Sequence, residues 1–212
     1  MKIIALADTH STYFNNKNIE SCDLLFHAGD LQAYNDVSEL YAFIEWYNSF
    51  DAKYKICIAG NHDKFIYENN NLCKKIFKKN NIIYLENSMV EIESVKIYGS
   101  PITPTFMNWY FMAERGKDIK KYWDKIPKCD VLITHGPAYG ILDYVSNTYN
   151  IDHHAGCEEL LKAVKRIKPS HHLFGHIHSS SGTYETKDTT FINASVLDED
   201  YLLEYEPKII YI

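Results

Sequence analysis

Five apolar runs in this chain stop abruptly at polar clusters. "KIIALA" (2–7) leads into Asp8 and His10, "DLLFHAG" (23–29) into Asp30, and "AKYKICIAG" (52–60) into Asn61, His62 and Asp63. "DVLITHG" (130–136) carries His135, and "HHLFGHIH" (171–178) carries His176 and His178. Apolar runs of this kind read as strands buried on both faces, as in a parallel sheet covered by helices. In such sheets, ligand sites gather beyond the carboxyl ends of the strands. The five endings therefore demand a fold that brings those ends to one place.

The rest of the chain supplies the cover. Helical spacing runs over 36–50, where Asp36 or Ser38 can cap, over 70–79, and over 156–167, whose acidic start and basic end match the helix dipole. Further strands are expected at 81–85, 88–92, 95–100, 182–186, 189–197 and 208–212, and the aromatic-rich stretch 101–127 starts as a loop and ends as a helix. About ten strands are too many for one small sheet. The expected fold is α/β, with two stacked mixed sheets flanked by helices in a single domain over 1–212. The net charge of −6 and a pI of about 5.9 disfavour a partner as long as a nucleic acid. No run approaches a membrane span, and the apolar start of "MKIIALADTH" is too short for a signal peptide. Five scattered cysteines without a CxxC read as reduced thiols. Together these features predict a cytoplasmic protein.

On a strand, side chains two apart share a face, so His176 and His178 are expected side by side. Two imidazolium ions there would repel, and two neutral rings beside Gly175 would make a poor core. A metal resolves both problems. One D-x-H or GD pair means little alone. The ordered set Asp8, His10, Asp30, Asn61, His135, His176 and His178 offers imidazoles, carboxylates and an amide oxygen, a donor set for transition metals. It exceeds the three or four ligands of one zinc-like ion and is enough for two ions about 3.5–4 Å apart.

At these residues the chain resembles the calcineurin-like metallophosphoesterases. Within them it resembles the branch of metallophosphoesterase-domain-containing phosphodiesterases, through "IAGNHD", "IYGSPITPTF", "VLITHGP", "GCEELL", "FGHIH" and "TTFINASV". The resemblance implies that Asp8, His10 and His178 hold one ion and that Asn61, His135 and His176 hold the other. Asp30 would bridge them, His62 would be the catalytic acid rather than a ligand, and Asp63 would orient it. It also implies two divalent ions, manganese first with iron, zinc, nickel or cobalt as alternatives, and in-line attack of a metal-bridging hydroxide on a small phosphodiester such as a cyclic nucleotide. A phosphomonoesterase or short-oligonucleotide nuclease is the alternative within the chemistry. A metal-containing scaffold without activity is the alternative outside it, against which the intact His62–Asp63 pair weighs.

The arginine that follows GD in the protein phosphatases of this superfamily is replaced here by "LQAYND". Without a bidentate clamp a dianionic monoester is less favoured than a monoanionic diester. Asn61 and His62 are candidate substrate contacts. Arg115 either reaches a phosphate or makes a surface ion pair, and Trp109 either stacks on a nucleobase or packs as core or lid with Tyr110 and Phe111. His27 either supports the GD turn or simply packs. His153 and His154 read as solvated, and of His171 and His172 at least one must face away from the site.

Overall fold

The two faces of the first strand belong to different cores. The computed structural model describes residues 1–145 and 153–212. In β1 (Lys2–Leu6) and the residue after it, Ile3, Ala5 and Ala7 point into one buried cluster, while Ile4 and Leu6 point into another. This two-residue period, apolar on both sides, places β1 deep in a sheet with cover above and below.

The chain continues through β2 (Cys22–Ala28), α1 (Val37–Asn48), β3 (Ala52–Ile58), α2 (Lys64–Glu68), α3 (Asn70–Lys79), β4 (Ile82–Tyr84), β5 (Ser88–Ile92) and β6 (Val95–Ser100). The aromatic stretch holds β7 (Thr103–Pro104), β8 (Met112–Ala113) and α4 (Lys117–Trp123). Then come β9 (Val131–Thr134), β10 (Tyr144–Val145), β11 (His153–His154), α5 (Glu158–Ile167) and β12 (His171–Phe174). The chain ends with a 3₁₀ turn (His178–Ser180), β13 (Gly182–Glu185), β14 (Thr190–Asn193) and β15 (Lys208–Tyr211).

Two mixed sheets result, as expected from the strand count. One runs β15-β1-β2-β3-β4, antiparallel only between β15 and β1. The other runs β13-β14-β12-β9-β6-β5, parallel in the middle and antiparallel at both edges. Ile3, Phe26, Ile56 and Ile58 of the first sheet pack with Ile97, Val131, Ile133 and Leu173 of the second. At one end the sheets are stitched directly, because Ala7 donates its N–H to Ala194 O at 2.8 Å and accepts from Val196 N at 3.2 Å. The helices cover the outer faces. Asp36 caps α1, its carboxylate accepting from Glu39 N at 2.9 Å. Among the described residues no helix is long and apolar enough to cross a membrane, and all five cysteines are free.

The structure departs from expectation mainly at strand ends. The run 171–178 is a strand only to Phe174; Gly175–Ile177 turn away and His178 opens the 3₁₀ turn. Alternation along a strand therefore does not place His176 and His178. Helix α2 and the short pairs β7–β8 and β10–β11 were not anticipated, being too brief to show a period.

Candidate metal centre

The parallel strands β1, β2, β3, β9 and β12 deliver their carboxyl ends to one place, and the backbone locks them there. Asp8 N donates to Gly29 O at 2.9 Å, His10 N to Asp30 O at 3.1 Å, and Gly175 N to His135 O at 2.9 Å. The approach is close enough to exclude a β-carbon. A Cβ on Gly60 would lie 2.2 Å from Asp30 Oδ1, and one on Gly175 would lie 2.2 Å from Asp8 Oδ2. Asp8, His10, Asp30 and His176 all adopt left-handed backbone conformations, with φ of 56°, 40°, 56° and 72°. Such residues persist only where their surroundings hold them.

The side chains then fall into overlapping groups. Ligand atoms of Asp8, His10 and His178 lie within 4.8 Å of one another, as do those of Asp30, His135 and His176. A third such group joins His10, Asp30 and His62. Asp30 thus touches both halves of the cluster, with Oδ2 at 3.6 Å from His10 Nε2 and 3.3 Å from His135 Nε2. Asn61 Oδ1 lies 2.9 Å from His135 Nε2.

Hydrogen bonding turns the imidazole lone pairs inward. His135 Nδ1 donates to Ala28 O at 2.9 Å, and His178 Nδ1 donates to Asp198 O at 2.8 Å, which leaves Nε2 of each ring facing the cluster. His10 Nε2 is buried and has no hydrogen-bond partner among the described residues. Burial holds His10 down to about 4 and His176 down to about 3, so both rings are neutral and can ligate. For His135, burial acts downward, but the charge and hydrogen bond of Asp30, with help from Asp8, win and raise it to about 9. Its Nε2 lies 2.9 Å from Asn61 Oδ1 and 3.3 Å from Asp30 Oδ2, and the His176 ring stands 5.0 Å away between centroids. A buried orphan nitrogen, inward lone pairs and a mixed N/O donor set all fit divalent transition metals.

His62 and Asp63 are placed differently from one another. The His62 amide donates to Asp30 Oδ1 at 2.8 Å. The half-buried His62 ring meets Trp109 at 4.0 Å between centroids, tilted by 32°, and meets His10 edge-on at 4.7 Å. Asp63 is fully buried and accepts from Leu31 N at 2.9 Å, Gln32 N at 3.0 Å and Gly60 N at 2.7 Å. Burial and the nearby Asp30 charge push its carboxyl up, and the amides of Gly60 and Gln32 pull against them. Its hydrogen bonds go to these backbone amides and not to the His62 ring. They tie the loop after β2 to the loop after β3.

Arg115 donates to Gly156 O and Glu158 Oε2, each at 2.8 Å, and to Ala155 O at 2.7 Å. Arg166, the only other arginine in the sequence, donates to the carbonyls of Trp123 and Ile126. His27 is buried with Nε2 3.0 Å from Thr9 Oγ1, behind the Asp8–His10 turn. His172 pairs with Thr134 Oγ1 at 2.8 Å, just before His135. His154 is exposed and bonds Asp143 at 2.7 Å.

Several supporting residues had escaped sequence reasoning. Ser195 Oγ donates to Asp8 Oδ2 at 2.5 Å, and the His176 amide donates to the same oxygen at 2.9 Å. Asn193 Nδ2 donates to Ile177 O at 2.7 Å and so fixes the link between His176 and His178. "INAS" was a sixth polar cluster closing an apolar run and could have been read as such. The Tyr201 ring lies 4.9 Å from His10 and 5.4 Å from His178, on a turn that Asp198 closes, and nothing in the sequence marked it. Glu39 was read only as part of a helix. It is buried and accepts from the amides of Ala33 at 2.6 Å and Asn35 at 2.6 Å, bracing the loop beyond Asp30.

The model of the calcineurin-like phosphoesterase family matches residues 1–180. Metallophosphoesterase domain-containing protein 1 of Homo sapiens is 36% identical over 225 aligned residues, covering 94% of this chain and 67% of that protein. UPF0046 protein K07C11.7 of Caenorhabditis elegans is 32% identical, covering 100% of this chain and 75% of that protein. Among solved structures, the phosphopantetheinyl hydrolase of Mycobacterium tuberculosis superposes with a TM-score of 0.62 at 14% identity, over 94% of this chain and 90% of that one, which speaks to the fold alone. Asn193, Ser195, Asp198 and Tyr201 lie beyond the segment matched by the family model.

Proposed function

The chain belongs to the calcineurin-like phosphoesterase family, and on that premise we propose that it is a two-metal phosphodiesterase acting on small phosphodiesters, cyclic nucleotides among them. Asp8, His10 and His178 would hold one ion and Asn61, His135 and His176 the other, with Asp30 between them. When bound, two such ions offset the negative charge of a phosphate group and lower the pKa of water enough to supply a nucleophile near neutral pH. The protein's part is to hold the ester against that cluster and to manage the leaving group. His62 stands on the solvent side, one ring from His10. From there it gives a proton to the departing oxygen, a contribution of roughly 10²–10⁴-fold for a general acid. Asn61 sits beside it with its amide oxygen turned toward His135.

One observation carries the choice of a diester. Both guanidinium groups of the chain are bonded to main-chain carbonyls, Arg115 at 155–156 and Arg166 at 123 and 126, so neither offers a free fork to a dianionic monoester. The test is a substrate screen on manganese-loaded protein, with chelator-treated protein as the control. Faster turnover of bis(p-nitrophenyl) phosphate than of p-nitrophenyl phosphate is expected. The reverse order overturns the diester assignment, and undiminished activity after chelation overturns the metal dependence.

A further inference from the structure

We propose that Trp109 is a positioning residue that sets the plane of the His62 imidazole. This rests on the reading of His62 as the acid. An acid must aim its N–H at the leaving oxygen, yet an imidazole on a single bond turns through a broad range. Among the described residues the His62 ring has no hydrogen bond to fix it, and Asp63 is committed to three backbone amides. Two rings confine it instead. Trp109 lies along its face, with centroids 4.0 Å apart and a tilt of 32°, and His10 meets it edge-on at 86°. A flat neighbour on the face permits in-plane direction and opposes rotation out of plane.

The surrounding backbone holds the indole in that role. Tyr110 N donates to Asn61 O at 3.1 Å, which bonds the residue after Trp109 to the residue before His62. Thr103 N donates to Phe111 O at 3.0 Å and Thr105 N to Ala113 O at 2.9 Å, closing the arm that carries Trp109 through the β7–β8 pair. Phe111 is buried in a left-handed conformation and sits edge-on to Tyr67 of α2 at 5.1 Å, while Tyr110 lies 5.6 Å from the same ring. Helix α2 begins directly after Asp63, so the two rings stand on segments tied to each other at both ends. The sequence offered Trp109 as a base-stacking or packing residue; the geometry points to the acid itself as its partner.

The experiment compares Trp109→Phe, Trp109→Ala, His62→Ala and the double Ala variant on diesters whose leaving groups run from nitrophenolate to a ribose alkoxide. Metal content is measured for each. Trp109→Ala should keep its metals and lose about 10- to 100-fold on the alkoxide, the scale of a misaimed catalytic group, but less than about threefold on nitrophenolate, which departs without a proton. Trp109→Phe retains a flat ring and should restore most of the alkoxide rate. In the His62→Ala background, Trp109→Ala should cost nothing further, because it acts only through that ring. Equal losses on both leaving groups, or additive losses in the double variant, overturn the proposal and make Trp109 a substrate contact or a structural residue. A steep leaving-group effect in His62→Ala with a flat one in Trp109→Ala sinks the positioning role alone. A flat effect in His62→Ala removes the acid reading and the proposal with it.

Discussion

Replacing Asp63 by Asn should destabilise the protein even when no metal is present. The carboxylate accepts three amide hydrogen bonds, at 2.9 and 3.0 Å on Oδ1 and 2.7 Å on Oδ2. An Asn side chain keeps its oxygen toward Leu31 and Gln32 but turns an NH₂ toward the Gly60 N–H, so one bond is lost and two donors confront each other. Bonds to a charged acceptor contribute about 1.5–3 kcal/mol and neutral ones about 0.5–1.5 kcal/mol. One lost and two weakened bonds therefore sum to roughly 3.5–6 kcal/mol, and relief from burying a charge beside Asp30 trims this to about 3 kcal/mol. For a chain of this size, that lowers the melting temperature by about 6–12 °C. The assay is thermal unfolding by circular dichroism after exhaustive chelation, with wild type alongside. An unchanged metal-free melting temperature, together with a rate loss confined to poor leaving groups, would show that Asp63 acts on His62 and not on the two loops.

Other consequences follow from the same geometry. Asp30→Asn removes the charge shared by both ligand groups, so metal analysis should find both ions weakened; two tightly held ions per chain would show that Asp30 does not bridge. Ser195→Ala deletes a hydroxyl bonded to Asp8 Oδ2. Titration calorimetry should register at least a roughly tenfold loss of metal affinity, the usual effect of such a partner, and unchanged affinity would dismiss the contact. Gly175→Ala drives a β-carbon to within 2.2 Å of Asp8 Oδ2, and overpacking of this kind costs about 1–3 kcal/mol. The variant should lose metal from the Asp8 group first, which cobalt absorption spectra of the partly loaded protein can detect.

The stacked sheets were legible because unbroken apolar runs cannot sit at a surface, and runs such as Ile3–Ala7 and Val131–Ile133 mark central strands with little ambiguity. The members of the centre were legible for the same reason, since His135 or Asp30 at the end of such a run stands out from its neighbours. The local path of the chain was not. Nothing in "GHIH" announces that His176 takes a left-handed turn, and alternation extrapolated from His171–Phe174 has no strand to act on beyond Phe174. Supporting contacts were hidden for a different reason. Ser195, Tyr201 and Trp109 reach the centre from distant parts of the chain, and a single sequence carries no record of such pairings. Asp63 shows a third limit, because the resemblance implied that it orients the His62 ring while the backbone amides of Leu31, Gln32 and Gly60 take up the carboxylate.

Four of the candidate ligands, Asp8, His10, Asp30 and His176, occupy backbone conformations that glycine adopts more easily. Residues held in such conformations cost of order 1–3 kcal/mol each. At Asp8 and Asp30 that cost stands against contacts glycine cannot make, because Asp8 accepts from the His176 amide and Ser195 Oγ, and Asp30 accepts from the His62 amide. A step to glycine at either position would relax the turn and leave a backbone amide without that acceptor, a loss of similar size. The two carboxylates thus fasten their own turns to the loops that carry His176 and His62, so the turns hold one another in place through the protein alone.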